Sequence, residues 1–179
     1  MTLGGSLTHL SSFQSDNLGN SRSQGGEISF QINPRRSLQM TAEYTYNPTA
    51  VLSLNGSSEV LAPLQVGQAL FRRPKNSGAY NVTWRHGHLM LNTNAYIRGP
   101  VLDIEPNYGT FACTLGMPCM FTNKGYFRMD GGFSYSLPHG VEMYGRMSNM
   151  LNQKYEEVFG YPSLPFNFIA GVRWTFPGR

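Results

Sequence analysis

The side chains best suited to catalysis or metal binding in this sequence are its four histidines and two cysteines. His86 and His88 flank a glycine in one short turn, and His139 lies in a second turn. The two histidines of the first turn are fewer ligands than a zinc site needs. The sequence also lacks the Gly-x-Ser-x-Gly motif that presents a nucleophilic serine in many hydrolases. We therefore expect no metal site, no cofactor site and no enzymatic activity.

Cys113 and Cys119 enclose the segment Thr-Leu-Gly-Met-Pro. Their spacing does not fit the Cys-x-x-Cys pattern of redox and zinc motifs. In an oxidising compartment the two thiols can form a disulfide, and closing so small a loop stabilises a fold by about 2–2.5 kcal/mol. In a reducing compartment they are two free thiols in a loop.

Many of the charged residues fall in stretches where polar and apolar residues alternate. Near the end of the chain, Phe168, Ala170, Val172 and Trp174 alternate with a second set that includes Arg173. A period of two residues indicates a β-strand with one apolar face. The predicted strands lie near 24–33, 37–46, 77–85, 89–98, 126–137, 140–149 and 166–176, and an eighth, less regular one lies near 7–13.

The composition favours an all-β fold. Charged residues make up only 13% of the chain and aromatic residues also reach 13%, whereas a helical bundle needs many charged residues together with Ala and Leu. The net charge of +4 comes without a run of Lys or Arg, so nucleic acid is not an expected partner. No apolar stretch is long enough for a transmembrane helix. The first residues do not resemble a signal peptide, which leaves a cytoplasmic protein or part of a longer chain.

The connections between the predicted strands alternate in length. Short turns fall at 33–36, 85–88 and 137–140, whereas long connections fall at 47–76, 99–125 and 150–165. This pattern predicts an antiparallel up-and-down meander with two unlike ends. Transmembrane β-barrels have this asymmetry, with short turns on one side of the membrane and long loops on the other.

The polar face of these strands carries few charges and almost no lysine. A water-exposed surface usually carries many Lys and Glu, so we interpret the apolar face as the one in lipid and the polar face as the barrel interior. Asp130 lies beside Arg128, and Glu142 beside Arg146, on the same side of their strands, and we expect such charges on neighbouring strands to form ion pairs within that interior. The expected interior charges are Arg98, Arg128, Asp130, Glu142, Arg146 and Arg173.

Several phrases resemble the C-terminal part of the barrel of a TonB-dependent outer-membrane receptor. They include Ala42-Glu-Tyr-Thr-Tyr46, Arg72-Arg-Pro-Lys-Asn76 and Asn149-Met-Leu-Asn-Gln-Lys-Tyr155. The Gly-Tyr-Pro ending at Pro162 is similar to that of cobalamin-receptor-like members, and Gly171-Val-Arg-Trp-Thr-Phe176 resembles the terminal strand. The phrases occur in the family's order over roughly residues 13–176.

The resemblance implies a transmembrane barrel of about 22 strands, of which this chain is expected to supply seven or eight as a partial barrel. It implies a Gram-negative outer membrane, outer-membrane lipid, the remainder of the barrel, a plug domain, the TonB complex and the barrel-assembly machinery as surroundings and partners. A scarce metal chelate or cobalamin-like ligand would be captured by extracellular loops and imported with TonB-supplied energy. The expected ligand-loop residues are Tyr108, Phe111, Tyr155 and Tyr161, unless they only pack the loops together.

Two other architectures fit the alternation. A small closed eight-stranded outer-membrane barrel with a structural or adhesion role requires residues 7–13 to pair with the final strand. A soluble lipid-binding barrel requires Phe168, Val172 and Trp174 to point into its interior.

Overall fold

The structure is a computed structural model that describes residues 19–54, 64–105, 119–158 and 160–176. These residues form β-strands and one turn of 3-10 helix at Pro138–Gly140. The strands are β1 (Ser21–Ser23), β2 (Gly26–Arg35), β3 (Leu38–Tyr46), β4 (Thr49–Val51), β5 (Asn76–His86), β6 (Leu89–Arg98), β7 (Val101–Glu105), β8 (Cys119–Asn123), β9 (Tyr126–Leu137), β10 (Val141–Ser148) and β11 (Asn167–Trp174).

Seven of the strands form one antiparallel sheet in the order β11-β10-β9-β6-β5-β3-β2. Each long strand therefore pairs with the next long strand along the chain, as in an up-and-down meander. Among the described strands, β2 and β11 are the two open edges, so the sheet is a wall that does not close on itself. The prediction of an all-β, antiparallel partial barrel is confirmed.

The two ends of the sheet differ, because short turns join β2 to β3, β5 to β6 and β9 to β10. The long connections at the opposite end contain extra strands that the sequence pattern did not predict. Strand β4 pairs with β1, and β7 pairs with β8, in two small antiparallel ribbons. These four strands are only three to five residues long, which is too short for alternation to stand out in a sequence.

One face of the sheet is apolar and uncovered. Residues opposite each other on antiparallel strands share a face, and the residues of the apolar face include Ile28, Ile97, Phe168, Val172 and Trp174, which are 69%, 54%, 51%, 65% and 60% exposed. Exposure of the last three is the opposite of what a soluble lipid-binding barrel requires. Lipid is the solvent that suits such a face.

Two glycines allow aromatic rings to lie flat against the last strands. A methyl group on Gly145 would lie 2.3 Å from Cε1 of Phe133 on the apolar face. A methyl group on Gly171 would lie 2.6 Å from Oη of Tyr144 on the polar face. In both cases the ring covers the backbone of the neighbouring strand, which fixes the register of β9, β10 and β11.

The described residues include no helix that is both long and apolar enough to cross a membrane. The segment 7–13, on which the closed eight-stranded alternative depends, lies outside the described residues.

Candidate functional site

Arg98, the last residue of β6, holds two of the long connections against the end of the sheet. Its Nη1 donates to the carbonyl of Glu157 at 3.2 Å, and its Nη2 donates to the carbonyls of Lys124 at 3.2 Å and Glu156 at 3.4 Å. The side chain lies on the polar face opposite Tyr126, and the residue is only 8% exposed. A buried guanidinium with several carbonyl acceptors is well suited to fixing loop backbone in one position.

A column of tyrosines completes this anchor. Tyr155 lies in the connection between β10 and β11, called here the 150–166 connection. Its ring stacks on Tyr126 with centroids 3.9 Å apart, and the centroid of Tyr96 lies 5.9 Å from that of Tyr126. The guanidinium of Arg98 lies 4.9 Å from the centroid of Tyr126. The hydroxyl of Tyr126 donates to a carboxylate oxygen of Glu157 at 2.8 Å. Aromatic and cation–π contacts of this kind each contribute about 0.5–1.5 kcal/mol.

Asp130 on β9 contacts both Arg128 on the same strand and the start of the 150–166 connection. Its Oδ2 lies 3.2 Å from Nε of Arg128, and its Oδ1 accepts the backbone N–H of Asn149 at 2.8 Å. Nη1 of Arg128 also lies 3.5 Å from the hydroxyl of Tyr155. The carboxylate of Asp130 therefore links the side chain of Arg128 on the sheet to the backbone of Asn149 at the start of the connection.

Asn149 organises the backbone of the 150–166 connection. Its φ angle is +50°, a left-handed conformation that Asn tolerates better than most residues. Its side-chain amide donates to the carbonyls of Gln153 at 3.0 Å and Leu164 at 2.9 Å, and its side-chain oxygen accepts the N–H of Gln153 at 2.9 Å. Because Asn149 is only 3% exposed, these bonds have little competition from water, and they order the described part of the connection.

This ordered connection presents an aromatic surface outward. Tyr161 is 74% exposed, and it lines a depression of about 410 Å³ together with Tyr155, Glu157, Val158 and Pro162. An exposed ring on a fixed backbone can stack on a planar or chelating ligand with little loss of conformational entropy.

A second anchor fixes the connection between β3 and β5. Nε of Arg72 lies 2.7 Å from Oδ1 of Asp103, which is fully buried in β7. The same carboxylate oxygen accepts the N–H of Ile104 at 2.9 Å, and the N–H of Arg72 donates to the carbonyl of Leu102 at 2.8 Å. Arg72 has a φ angle of +56°, which this set of contacts supports.

The six charges predicted to face the interior all lie on the polar face. That face borders a concave space of about 550 Å³ whose lining includes Asp130, Glu142, Arg146 and Arg173. Arg128 pairs with Asp130 within β9. Glu142 pairs at 3.1 Å with Arg173 on the neighbouring strand β11, as expected of charges on adjacent strands, and not with Arg146. Glu142 stands directly opposite Arg173 in the register of β10 and β11, whereas Arg146 is four residues further along the strand, a separation of about 13 Å.

Several predicted residues fall in parts of the chain that the structure does not describe. Tyr108, Phe111 and Cys113 lie there, so the ligand contacts of the first two and the disulfide between Cys113 and Cys119 stay predictions.

Three sequence and structure comparisons place this chain among known proteins. The family model for the TonB dependent receptor-like β-barrel matches residues 2–150. No protein with a curated description matches the sequence.

Three solved structures with the same fold are much longer than this chain. The outer-membrane ferripyoverdine receptor of Pseudomonas aeruginosa, solved with ferripyoverdine bound, is similar with a TM-score of 0.65 and 15% identity, over 86% of this chain and 19% of the receptor. The siderophore receptor PiuA of Acinetobacter baumannii gives 0.62 and 16% over 85% and 21%. The ferric citrate transporter FecA, in its unliganded form, gives 0.63 and 14% over 88% and 26%. The chain thus spans about a fifth to a quarter of the length of these proteins, and at such identities the likeness establishes the fold alone.

Proposed function

We propose that this chain, which belongs to the TonB-dependent receptor β-barrel family, forms part of the barrel wall and part of the ligand-capturing rim of an outer-membrane transport receptor. Members of this family are transport receptors and not enzymes. The observation that carries the proposal is the 150–166 connection, which Arg98 and Asn149 hold against the sheet while Tyr161 stays 74% exposed. A loop ordered in this way suits a binding role better than a flexible linker does.

The ligand class that we propose is a metal chelate or a cobalamin-like molecule. Such ligands are large and present planar or aromatic groups, to which the rings of Tyr155 and Tyr161 can stack. The ferripyoverdine bound to the Pseudomonas aeruginosa receptor is one ligand of this class. Tyr108 and Phe111 are proposed to contribute to the same surface.

The proposed partners follow from the faces that the chain leaves open. The remainder of the barrel would pair with β2 and β11, because unpaired backbone groups at a sheet edge are costly in hydrocarbon. A plug domain would occupy the polar face, where Arg146 and the pair of Glu142 with Arg173 offer charged contacts. The plug would couple import to TonB, and the barrel-assembly machinery would insert the protein into the outer membrane of a Gram-negative bacterium.

The test compares two exposed residues of one loop in the assembled receptor. Tyr161→Ala should weaken binding of the transported chelate about three- to tenfold, because the stacking energy of one aromatic ring is lost. Leu164→Ala is the matched control, since Leu164 is 80% exposed in the same connection, and it should leave binding unchanged. Binding is measured with a panel of labelled ferric chelates and cobalamin on cells that lack other receptors. If no chelate or cobalamin in the panel binds in a receptor-dependent way, or if the two variants behave alike, the proposal is wrong.

A further inference from the structure

The end of the sheet that carries the short turns is rich in exposed basic side chains. The turn segments 33–37, 85–88 and 137–140 contain three arginines and three histidines and no Asp or Glu. Arg35, Arg36, His86, His88 and His139 are all exposed. Among the described residues, neither Arg35 nor Arg36 forms an ion pair. This rim therefore has an excess of positive charge without internal compensation.

A β-bulge in β2 brings one of these arginines to the apolar face. Ile32 stands opposite Met40, but the register then shifts so that Arg35 stands opposite Leu38. Strict alternation would have put Arg35 on the polar face with Gln31. Because the bulge adds one residue to β2, Arg35 instead shares the face of its partner Leu38. Re-aiming a side chain is a common role of bulges at sheet ends.

Aromatic and histidine rings lie beside Arg35 on the same face. Leu38 stands opposite Trp84 on β5, so Arg35, Leu38 and Trp84 form a row across three neighbouring strands. The ring of Trp84 stacks on His86 with centroids 5.6 Å apart and planes 3° apart. Further along the rim, His88 contacts Tyr135 at 6.2 Å. Tryptophan and tyrosine next to cations are typical of the boundary between lipid tails and headgroups.

Backbone hydrogen bonds between neighbouring turns make this rim rigid. The N–H of Arg85 donates to the carbonyl of Ser37 at 2.7 Å, and the N–H of Ser136 donates to the carbonyl of His88 at 2.9 Å. A rigid arrangement of cations loses less entropy on binding than free side chains on a mobile loop.

We propose that Arg35 and Arg36, with Trp84 and His86 beside them, bind the headgroup phosphate of an anionic glycerophospholipid such as phosphatidylglycerol. This inference rests on the proposed function, because it requires the apolar face to lie in a bilayer. The acyl chains would lie along Leu38 and its apolar neighbours, while the guanidinium groups donate to the phosphate oxygens. Arginine binds phosphate in a bidentate manner. Phosphatidylcholine carries its own cation next to the phosphate, so a rim with uncompensated positive charge favours the lipid with net negative charge.

The test uses Trp84 as a reporter of the lipid that lies beside it. The assembled receptor is reconstituted into two kinds of phosphatidylcholine vesicle. One contains phosphatidylglycerol brominated on its acyl chains, and the other contains the same mole fraction of phosphatidylcholine brominated in the same way. Bromine quenches nearby tryptophan, and the difference between the protein and its Trp84→Phe variant isolates the Trp84 signal. We expect brominated phosphatidylglycerol to be preferred by roughly five- to thirtyfold, since each of the two arginines near an anionic headgroup contributes about 1 kcal/mol or less.

Two double variants with the same change in charge decide whether the site is specific. Arg35→Gln/Arg36→Gln should reduce the preference to about one. Arg22→Gln/Arg73→Gln, which removes two exposed arginines at the long-connection end, should leave it unchanged. An equal loss in both variants would show general electrostatic attraction and overturn the proposal.

The wild-type measurement also separates this inference from the proposed function. If brominated phosphatidylcholine does not quench Trp84, the apolar face is not in lipid and the membrane role itself fails. If both brominated lipids quench Trp84 equally, the membrane role stands and the phospholipid site is overturned. This comparison needs no variant at the arginines, so it decides even if Arg35→Gln/Arg36→Gln does not assemble.

Discussion

Removing the side chain of Arg98 should release the 150–166 connection from the sheet while leaving the strands intact. Its guanidinium donates to three carbonyls that lie outside β6, on Lys124, Glu156 and Glu157. In Arg98→Ala those carbonyls lose their charged donor, and the ring of Tyr126 loses its cation. The strand hydrogen bonds of β6 involve only backbone, so they remain.

The size of the effect can be worked from the three bonds. A hydrogen bond from a charged donor contributes about 1.5–3 kcal/mol, and burial to 8% exposure reduces competition from water. The longest of the three, at 3.4 Å, contributes least. A loss of about 3–4 kcal/mol in the local free energy of loop opening is therefore expected. This corresponds to a factor of roughly 100 to 1,000 in the opening equilibrium.

Amide hydrogen exchange measures this opening directly. The N–H groups of Gln153 and Ser163 are hydrogen-bonded inside the connection, so peptides that contain them should exchange faster by that factor in Arg98→Ala. Arg98→Lys keeps the charge but cannot reach all three carbonyls, so its increase should be smaller. Arg85→Ala, which removes an exposed arginine of the same face, should change nothing there. Unchanged exchange at Gln153 and Ser163, or an equal increase throughout β9 and β10, would refute the reasoning.

Two further predictions concern packing and the second anchor. Gly145→Ala should destabilise the protein by about 1–3 kcal/mol, because the added methyl lies 2.3 Å from the ring of Phe133. In the Phe133→Leu background the same substitution should be nearly neutral, as urea unfolding in detergent would measure. Asp103→Ala should open the β7–β8 ribbon, because it removes a fully buried carboxylate that accepts from Arg72 and from the N–H of Ile104 and leaves that N–H without an acceptor. Faster hydrogen exchange in β7 should accompany it, and Asp103→Asn should have a smaller effect; equal protection in all three proteins would contradict this.

The seven long strands could be predicted from the sequence because each has one mainly apolar face and one mainly polar face. An apolar row such as Phe168, Val172 and Trp174 alternates strictly with the residues of the other face, and such alternation can be read from a sequence. The bulge before Arg35 could not be found in this way, since alternation counts positions and does not reveal an inserted residue. Pro34 beside it was the available signal, because proline within a strand often marks a bulge or an edge.

The candidate site was predicted only in part, because its contacts join residues that are distant in sequence. Arg98 was predicted as one of several interior arginines, but its acceptors are backbone carbonyls 26, 58 and 59 residues away. Any residue has a carbonyl, so no residue type marks these positions. Asn149 belongs to the sequence motif Asn149–Tyr155 that resembles the family, but the motif does not show that Asn149 holds the connection. That role depends on a left-handed backbone angle that the sequence does not reveal. Arg173 is the ion-pair partner of Glu142 because the register of β10 and β11 places the two residues opposite each other, and the sequence alone does not give that register.

The central claim is that the apolar face of the sheet meets lipid and the polar face meets a water- or protein-filled interior. Spin labels placed singly along β6, in a Cys113→Ser/Cys119→Ser background, test it through their accessibility to oxygen and to a polar nickel complex in vesicles. We predict high oxygen accessibility for labels at Leu91 and Ile97, and low oxygen accessibility for labels at Asn92 and Asn94, whether water or a plug covers them. An inverted pattern, or no alternation along β6, would contradict the account.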